Sequence, residues 1–406
     1  MAALLLGVVA AIFIGKLPPA IPALRAEFGL SLSESAWLVS MFNTLGVVAS
    51  IFMGLFTSRV GAWRLCMAGL TAMIAGAWIG AATPSASSWL LLASRFLEGV
   101  GFLSIVVAAP GLLMLATADS DRKRVFSFWG AYMPTGTTIG MLLAPLTIAW
   151  FGWRGLWIAT SLAALAAMWL LIVLRTDYAA ARATHGAPAA GSAAAAWRAS
   201  AGPLKKSGPW WIALAFGCYA FNYYAIMVWL PTFMVGERQT PLATASILTA
   251  LVVAVNIGGN VIGGMLMQRG VTRGTNVCLA GIATALTCLV IFSPALPDWL
   301  RYLGCVAFSF SVGVLPGSVM SAAQTHALNP AQTGTVQGMI NQGSNMGQFI
   351  SPLLVTAAVS QAAGAAPAWN NMLYLLLVTS AIIIVSGLMI RSIEARMVAA
   401  AVTARP

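Results

Sequence analysis

The chain has 406 residues, of which 60% are hydrophobic and only 7% charged. No soluble domain can bury that much apolar surface, whereas repeated apolar runs of about 20 residues are what membrane-spanning helices require. The net charge of +12 would suit a nucleic-acid binder, but the distribution of the basic residues along the chain excludes that partner.

Marking apolar runs and the polar breaks between them gives twelve spans, at about 2–24, 35–57, 64–83, 88–115, 125–149, 155–174, 210–235, 242–267, 274–294, 299–322, 334–358 and 369–391. The first run has no basic region before it, so it reads as a spanning helix and not as a signal peptide. With the N-terminus inside, fifteen of the 21 Lys and Arg residues fall on the cytoplasmic side, among them Arg122-Lys123-Arg124. Four fall outside (Arg25, Arg154, Arg238 and Arg301), while Lys16 and Arg95 fall within the membrane. That bias places both termini in the cytoplasm, in a bacterial inner membrane, and makes the positive charge a matter of topology. The expected partners are therefore the bilayer and a small solute, with no nucleic acid, and the chain is expected to act as a monomer.

Residues 175–209 are rich in Ala, Gly and Ser and carry four or more basic residues, so they read as a cytoplasmic linker. The linker separates two six-helix bundles, residues 1–174 and 210–406. The halves repeat one another. Gly136, Gly140 and Pro145 in the fifth span form G-x3-G-x4-P, and Gly343, Gly347 and Pro352 in the eleventh form the same pattern. Gly54 and Arg59 are echoed by Gly264 and Arg269. Small residues four apart let helices approach closely, and duplicated halves with a site between them are a recurring transporter architecture. The fold class expected is an all-α membrane protein of twelve transmembrane helices in two pseudo-symmetric bundles.

The fourth span contains Arg95-Phe96-Leu97-Glu98-Gly99-Val100-Gly101. A charge at mid-membrane costs about 2.5–3.5 kcal/mol on insertion scales, so such residues are usually paired, inward-facing and functional. Arg95 and Glu98 lie three apart and share a helix face. Lys16 lies about eight residues from the outer end of the first span, and Arg95 about seven residues down the fourth. Both therefore sit about 10–12 Å below the external surface.

The chain resembles the major facilitator superfamily. Gly54-Leu-Phe-Thr-Ser-Arg59-Val-Gly61-Ala-Trp-Arg64 resembles the family's loop between helices 2 and 3. Arg95-x-x-Glu98-Gly99-x-Gly101 resembles its helix 4 motif, and Gly152-Trp153-Arg154 the turn before helix 6. The resemblance implies two bundles that rock to expose a central site alternately to each side. Ser58 stands where the family's loop usually carries aspartate, and Ala62 and Trp63 stand near its usual basic positions. Gly140 is followed by Met-Leu-Leu-Ala-Pro145 and not by the G-P-x-x-G of drug exporters. The Lys16-Leu-Pro-Pro-Ala-Ile-Pro segment and the amide-rich eleventh span are similar to the cyanate-permease-like branch.

Lys16 and Arg95 are the expected anion contacts, the arginine gripping a carboxylate through its planar fork. For Lys16 the alternative is snorkelling to the headgroups. Glu98 is the candidate proton carrier, or else a permanent partner of Arg95. Gln337, Asn341, Asn345 and Gln348 line one face of the eleventh span, and Asn256 and Asn260 one face of the eighth. Of these, Asn256, Asn341 and Asn345 are candidate substrate contacts, against the alternative that the amides glue helices together. Tyr132, Asn222 and Tyr223 are further candidates, against aromatic packing, with Tyr219 and Tyr224 beside them. His185 and His326 read as solvated loop residues. The five cysteines lack paired or ligand spacing, and no catalytic constellation appears, so no enzyme activity, metal or cofactor is expected. The expected function is secondary transport of a small organic or inorganic anion, as uptake, with a proton as candidate co-substrate. Its rivals are an efflux pump for amphipathic compounds and, more remotely, a non-transporting membrane receptor or membrane enzyme.

Overall fold

A computed structural model of the chain describes residues 2–118, 121, 125, 128–179, 201–319, 321–327, 330–360 and 367–403, and for 54–59, 330–331 and 401–403 the backbone alone. Arg122-Lys123-Arg124, most of the linker with His185, and the side chains of Ser58 and Arg59 lie outside the described residues. Every regular element described is helical. In chain order these are α1 (Ala2–Gly15), α2 (Leu17–Phe28), α3 (Leu32–Met41), α4 (Thr44–Val60), α5 (Ala62–Ala81), α6 (Ser88–Ala116) and α7 (Tyr132–Val173). The second half holds α8 (Ser207–Arg238), α9 (Leu242–Gln268), α10 (Arg273–Ile291), α11 (Asp298–Val319), α12 (Ala322–His326), α13 (Pro330–Val359) and α14 (Met372–Thr403).

Among the described residues, ten helical stretches are long and apolar enough to cross a bilayer. One of them, α7, is two arms joined at Gly152, whose φ of 66° and ψ of 178° are not helical. A further helix, α13, has the length but carries too many amides to count by hydropathy. With α1–α2, α3–α4 and α11–α12 each forming one interrupted span, twelve crossings result. The interruption at Lys16 has a plain cause. Pro18 and Pro19 carry no N–H, so the carbonyls of Ile14 and Gly15 lose their helical donors. The second break, at Phe42–Asn43, has no proline to announce it. The helix after it starts at Thr44.

The duplicated glycines have one structural meaning in both halves. On α7, a β-carbon at Gly136 or Gly140 would run into the backbone carbonyls of Val8 and Ile12 on α1. On α13, the same change at Gly343 or Gly347 would strike the carbonyls of Ala213 and Gly217 on α8. So α1 packs on α7 as α8 packs on α13. The turns repeat as well: Gly61, before α5, and Gly270, before α10, adopt φ of 88° and 87°, a region that side-chain-bearing residues rarely occupy.

At the start of α7's second arm, Arg154 and Trp153 clamp the tip of α2. Arg154 lies 2.7 Å from Glu27 Oε1, and Trp153 Nε1 donates to Glu27 Oε2 at 2.6 Å. Arg154 also donates to the Thr83 carbonyl at 3.0 Å, which ties in the α5–α6 turn. The two halves meet where α13 lies along α3 and α4, where α7 meets α9, and where α2 meets α8.

The far end of the second half corrects one expectation. His326 is buried, not solvated: its Nε2 lies 3.1 Å from Glu394 Oε1, and Gly208 of α8 packs against its ring. Arg273 bonds the same carboxylate and donates to Ser321 and Thr325 hydroxyls at 3.2 and 3.1 Å. The last helix reaches Thr403, well past the expected span, and so places Glu394 there.

Candidate functional site

Glu98 on α6 is fully buried and holds two cations at once. Lys16 Nζ, also fully buried, approaches its Oε1 at 2.6 Å, and Arg95 NH1, one turn away, bonds its Oε2. The remaining surroundings of each cation decide what it can do. Lys16 donates to Thr160 Oγ1 at 3.2 Å and sits between the rings of Phe13 and Trp157, 4.3 and 4.4 Å from their centroids. It is thus sealed inside the first half, among α1, α6 and the second arm of α7. The pocket expected to be shared by both cations therefore takes in only Arg95, and Lys16 stands behind Glu98. The snorkelling alternative does not fit either, since the ammonium is fully buried and spent on Glu98 and Thr160.

Arg95 reaches the seam between the halves. Its Nε donates to the Leu38 carbonyl at 3.3 Å and its NH1 to the Phe13 carbonyl at 3.1 Å, while its guanidinium lies over Phe42 at 4.5 Å. Those contacts fix the plane of the fork and leave NH2 without a described protein acceptor. The side chain lines a void of about 10 Å³, room for one water, walled by α1, α2, α3 and, across the seam, by Tyr224, Met227 and Val228 of α8. Tyr224 is buried and its hydroxyl makes no well-aligned hydrogen bond. Beside it, within reach of that hydroxyl, stands the buried Asn43 amide, neither atom of which makes a well-aligned hydrogen bond. Buried polar groups are nearly always satisfied, so orphans gathered around a charged donor mark a place for a ligand or water. The Gly99 of the helix 4 motif has a packing role: a β-carbon there would overlap the Phe42 carbonyl at the break between α3 and α4.

The other expected contacts divide into two groups. Tyr132 stacks on Trp129 at 4.5 Å and lies within electrostatic reach of Tyr219 on α8, across the seam. Asn345 also works across it: its Nδ2 donates to Ser50 Oγ on α4 at 3.3 Å and to the Asn341 carbonyl at 2.8 Å, while Asn341 Oδ1 accepts from Gln337 at 3.2 Å. Tyr223 stacks on Tyr219 at 6.1 Å with its hydroxyl unpartnered. In contrast, Asn222 turns away toward α14, where its Oδ1 accepts from Thr379 at 2.6 Å. Asn256 bonds the Ser309 carbonyl on α11 at 3.0 Å and accepts from Asn260 at 2.9 Å. These last two hold helices of the second half together. Sequence reasoning left Asn43 and Tyr224 out of the site, and Thr160 and Trp157 out of the Lys16 cage. A signal existed only for Tyr224, next to Tyr223 on α8.

The sequence profile of the Major Facilitator Superfamily matches residues 3–352. The chain belongs to the Major Facilitator Superfamily. Similar proteins include one from Bacillus subtilis named for niacin and nicotinamide transport, NiaP, 27% identical over 54% of this chain and 54% of its own length. The cis,cis-muconate transport protein of Acinetobacter baylyi is 25% identical over 82% of this chain and 80% of its own. The methyl viologen resistance protein SmvA of Salmonella typhimurium is 28% identical over 33% of this chain and 27% of its own. The chain thus spans about half the length of NiaP and most of the muconate protein.

Proposed function

We propose that this superfamily member takes up a small organic carboxylate across a bacterial inner membrane, with both termini in the cytoplasm, as its halves open alternately to each side around Arg95. The observation that carries this reading is the surplus charge: two buried cations share one carboxylate, and the cation at the seam keeps one donor edge unused. A carboxylate at the void would offset one positive charge and accept from Arg95 NH2, the Tyr224 hydroxyl and the Asn43 amide. In the conformation described the void admits only a water, so binding requires the halves, residues 1–174 and 210–406, to part along the seam. Tyr132, Tyr223, Asn341 and Asn345 would line the opened path. Asn222 and Asn256 would keep the second half rigid, and Lys16 would hold Glu98 in place without touching the solute.

Glu98 supplies the coupling in this proposal. Protonated, it releases Arg95 NH1, so one proton would enter with each monoanion and no net charge would cross. The muconate and niacin names of two relatives agree with a carboxylate cargo. SmvA's name speaks of resistance to methyl viologen, a dication, and the unbalanced positive charge beside the seam would repel such a solute.

The test is uptake of radiolabelled mono- and dicarboxylates into proteoliposomes with and without an inward proton gradient. Saturable uptake enhanced by the gradient is expected, and it should vanish in Arg95→Gln and lose gradient dependence in Glu98→Gln. Undiminished uptake by Arg95→Gln, or extrusion of methyl viologen with no carboxylate uptake, would overturn the proposal.

A further inference from the structure

The seam between α4 and α13 is keyed by a notch. Asn43, Gly46 and Ser50 follow one another at steps of three and four and so share one face, on which Gly46 and Ser50 meet α13. A β-carbon at Gly46 would overlap the Asn345 amide, so a glycine at this position is what admits that side chain. Once there, Asn345 Nδ2 donates to Ser50 Oγ at 3.3 Å, and Ser50 Oγ donates in turn to the Gly46 carbonyl at 2.6 Å. Two turns back on α13, Gly338 rests against the backbone of Ile51. The two contacts together fix how far α13 slides along α4.

The notch lies one turn from the Arg95 site. The Val47 N–H donates to the Asn43 carbonyl at 3.1 Å, so Asn43 belongs to the first turn of α4 and moves with it. On the other side of the break, α3 has its own anchor, Ser40 Oγ donating to the Phe349 carbonyl at 2.7 Å. The pseudo-symmetric seam, α7 on α9, lacks such a key. The offsets of the duplicated glycines match Gly46 with Asn256 and Asn345 with Thr138. Asn256 turns to the Ser309 carbonyl within its own half, and the Thr138 hydroxyl is buried with no well-aligned bond. The key is thus confined to the seam whose helix begins at Asn43.

We propose that Asn345 is a positioning residue for the Arg95 site, a role that rests on the transport reading above. Seated at Gly46, it holds the first turn of α4 so that the Asn43 amide stands beside Tyr224. When the halves part along α4 and α13, Asn345 leaves the notch, the turn is released and the site loses the Asn43 donor. The movement that opens the seam there also weakens the hold on the cargo.

The experiment is alkylation by N-ethylmaleimide of Asn43→Cys in the full chain, its five native cysteines replaced by alanine, in phosphatidylcholine nanodiscs. Asn345→Ala is expected to raise the rate about five- to tenfold, as the loss of one hydrogen bond allows, and Gly46→Ala, which fills the notch, should raise it as much. The double variant should be no faster than either single one, because both remove the same contact. A Ser40→Cys reporter, across the break, should keep its rate in all three, which a general loosening of the seam would not permit. In uptake of a radiolabelled carboxylate, Asn345→Ala should raise KM about fivefold and leave kcat within about twofold. An unchanged rate at position 43 in either single variant, multiplied rates in the double variant, equal rises at 40 and 43, or a fall in kcat at constant KM would each overturn the proposal. Alkylation needs no cargo, so a chain that transports no carboxylate yet keeps this pattern overturns the reading of the site and leaves the role of Asn345 in place.

Discussion

Replacing Glu98 by glutamine tests the charge arrangement at its centre. The carboxylate is the shared counter-ion of Lys16 and Arg95, and none of the three is more than 2% exposed. Removing one member of a buried pair typically costs about 3–5 kcal/mol, because the remaining charge stays in a medium that cannot solvate it. Glu98→Gln strands two like charges, so the upper part of that range is expected. Lys16→Met should behave differently. It removes the surplus cation, fills the space between Phe13 and Trp157 with an apolar chain of similar length, and leaves Arg95 and Glu98 neutral as a pair. Its cost is expected to stay within about 2 kcal/mol, mainly for the acceptor left at Glu98 Oε1. The decisive number is the double variant. With Lys16 already replaced, Glu98→Gln should cost at least about 1 kcal/mol less than it does alone, since one stranded cation has gone. The assay is equilibrium unfolding in mixed micelles for the parent, both single variants and the double variant. Additive costs would refute the idea that Lys16 is held by Glu98, and a Lys16→Met variant as unstable as Glu98→Gln would refute the claim of surplus charge.

Three further outcomes follow from the geometry. Gly347→Val should destabilise the second half by more than about 3 kcal/mol, since the new side chain meets the backbone of α8 and not a movable side chain; the unfolding midpoint and yield of folded protein in detergent report it. Asn345→Ala removes the bond to Ser50 across the seam, so it should cost only about 1 kcal/mol of stability while changing cysteine accessibility between the halves more than any substitution within one half. Glu394→Gln should loosen the cluster at the start of α10, where Arg273 and His326 both depend on it. Faster amide exchange over residues 321–327 than in the parent is expected, with exchange around α6 unchanged.

What the sequence made legible was whatever periodicity or spacing encodes. The i, i+3 offset of Arg95 and Glu98 demanded a shared face, and the two residues do bond. The duplicated G-x3-G-x4-P became duplicated helix contacts, because a glycine row has one common use, close approach of backbones. Depth arithmetic placed Lys16 level with Arg95 but could not give its azimuth. That angle is set by the break at Lys16 and by Trp157 and Thr160, which are more than 140 positions away. The amide rows were ambiguous for a related reason: an asparagine that must avoid lipid is satisfied equally by a neighbouring helix or by a seam. Asn256 took the first course and Asn345 the second. Asn43 went unseen because nothing local announces the interruption of its span. His326 was misjudged because its partner, Glu394, belongs to a helix that continues beyond its apolar stretch.

The paired glycine seams also constrain how the molecule can move. Where backbone rests on backbone, as at α1 on α7 and α8 on α13, there is no side-chain layer to shear, so each of these couples must travel as a single stiff beam. Displacement is left to the contacts of α13 with α3 and α4, of α7 with α9 and of α2 with α8. There the described polar links are as slight as Ser40 to the Phe349 carbonyl and Asn345 to Ser50. The slip plane of the machine thus runs where paired glycine rows give way to isolated ones, such as Gly338 against Ile51 and Gly46 against Asn345.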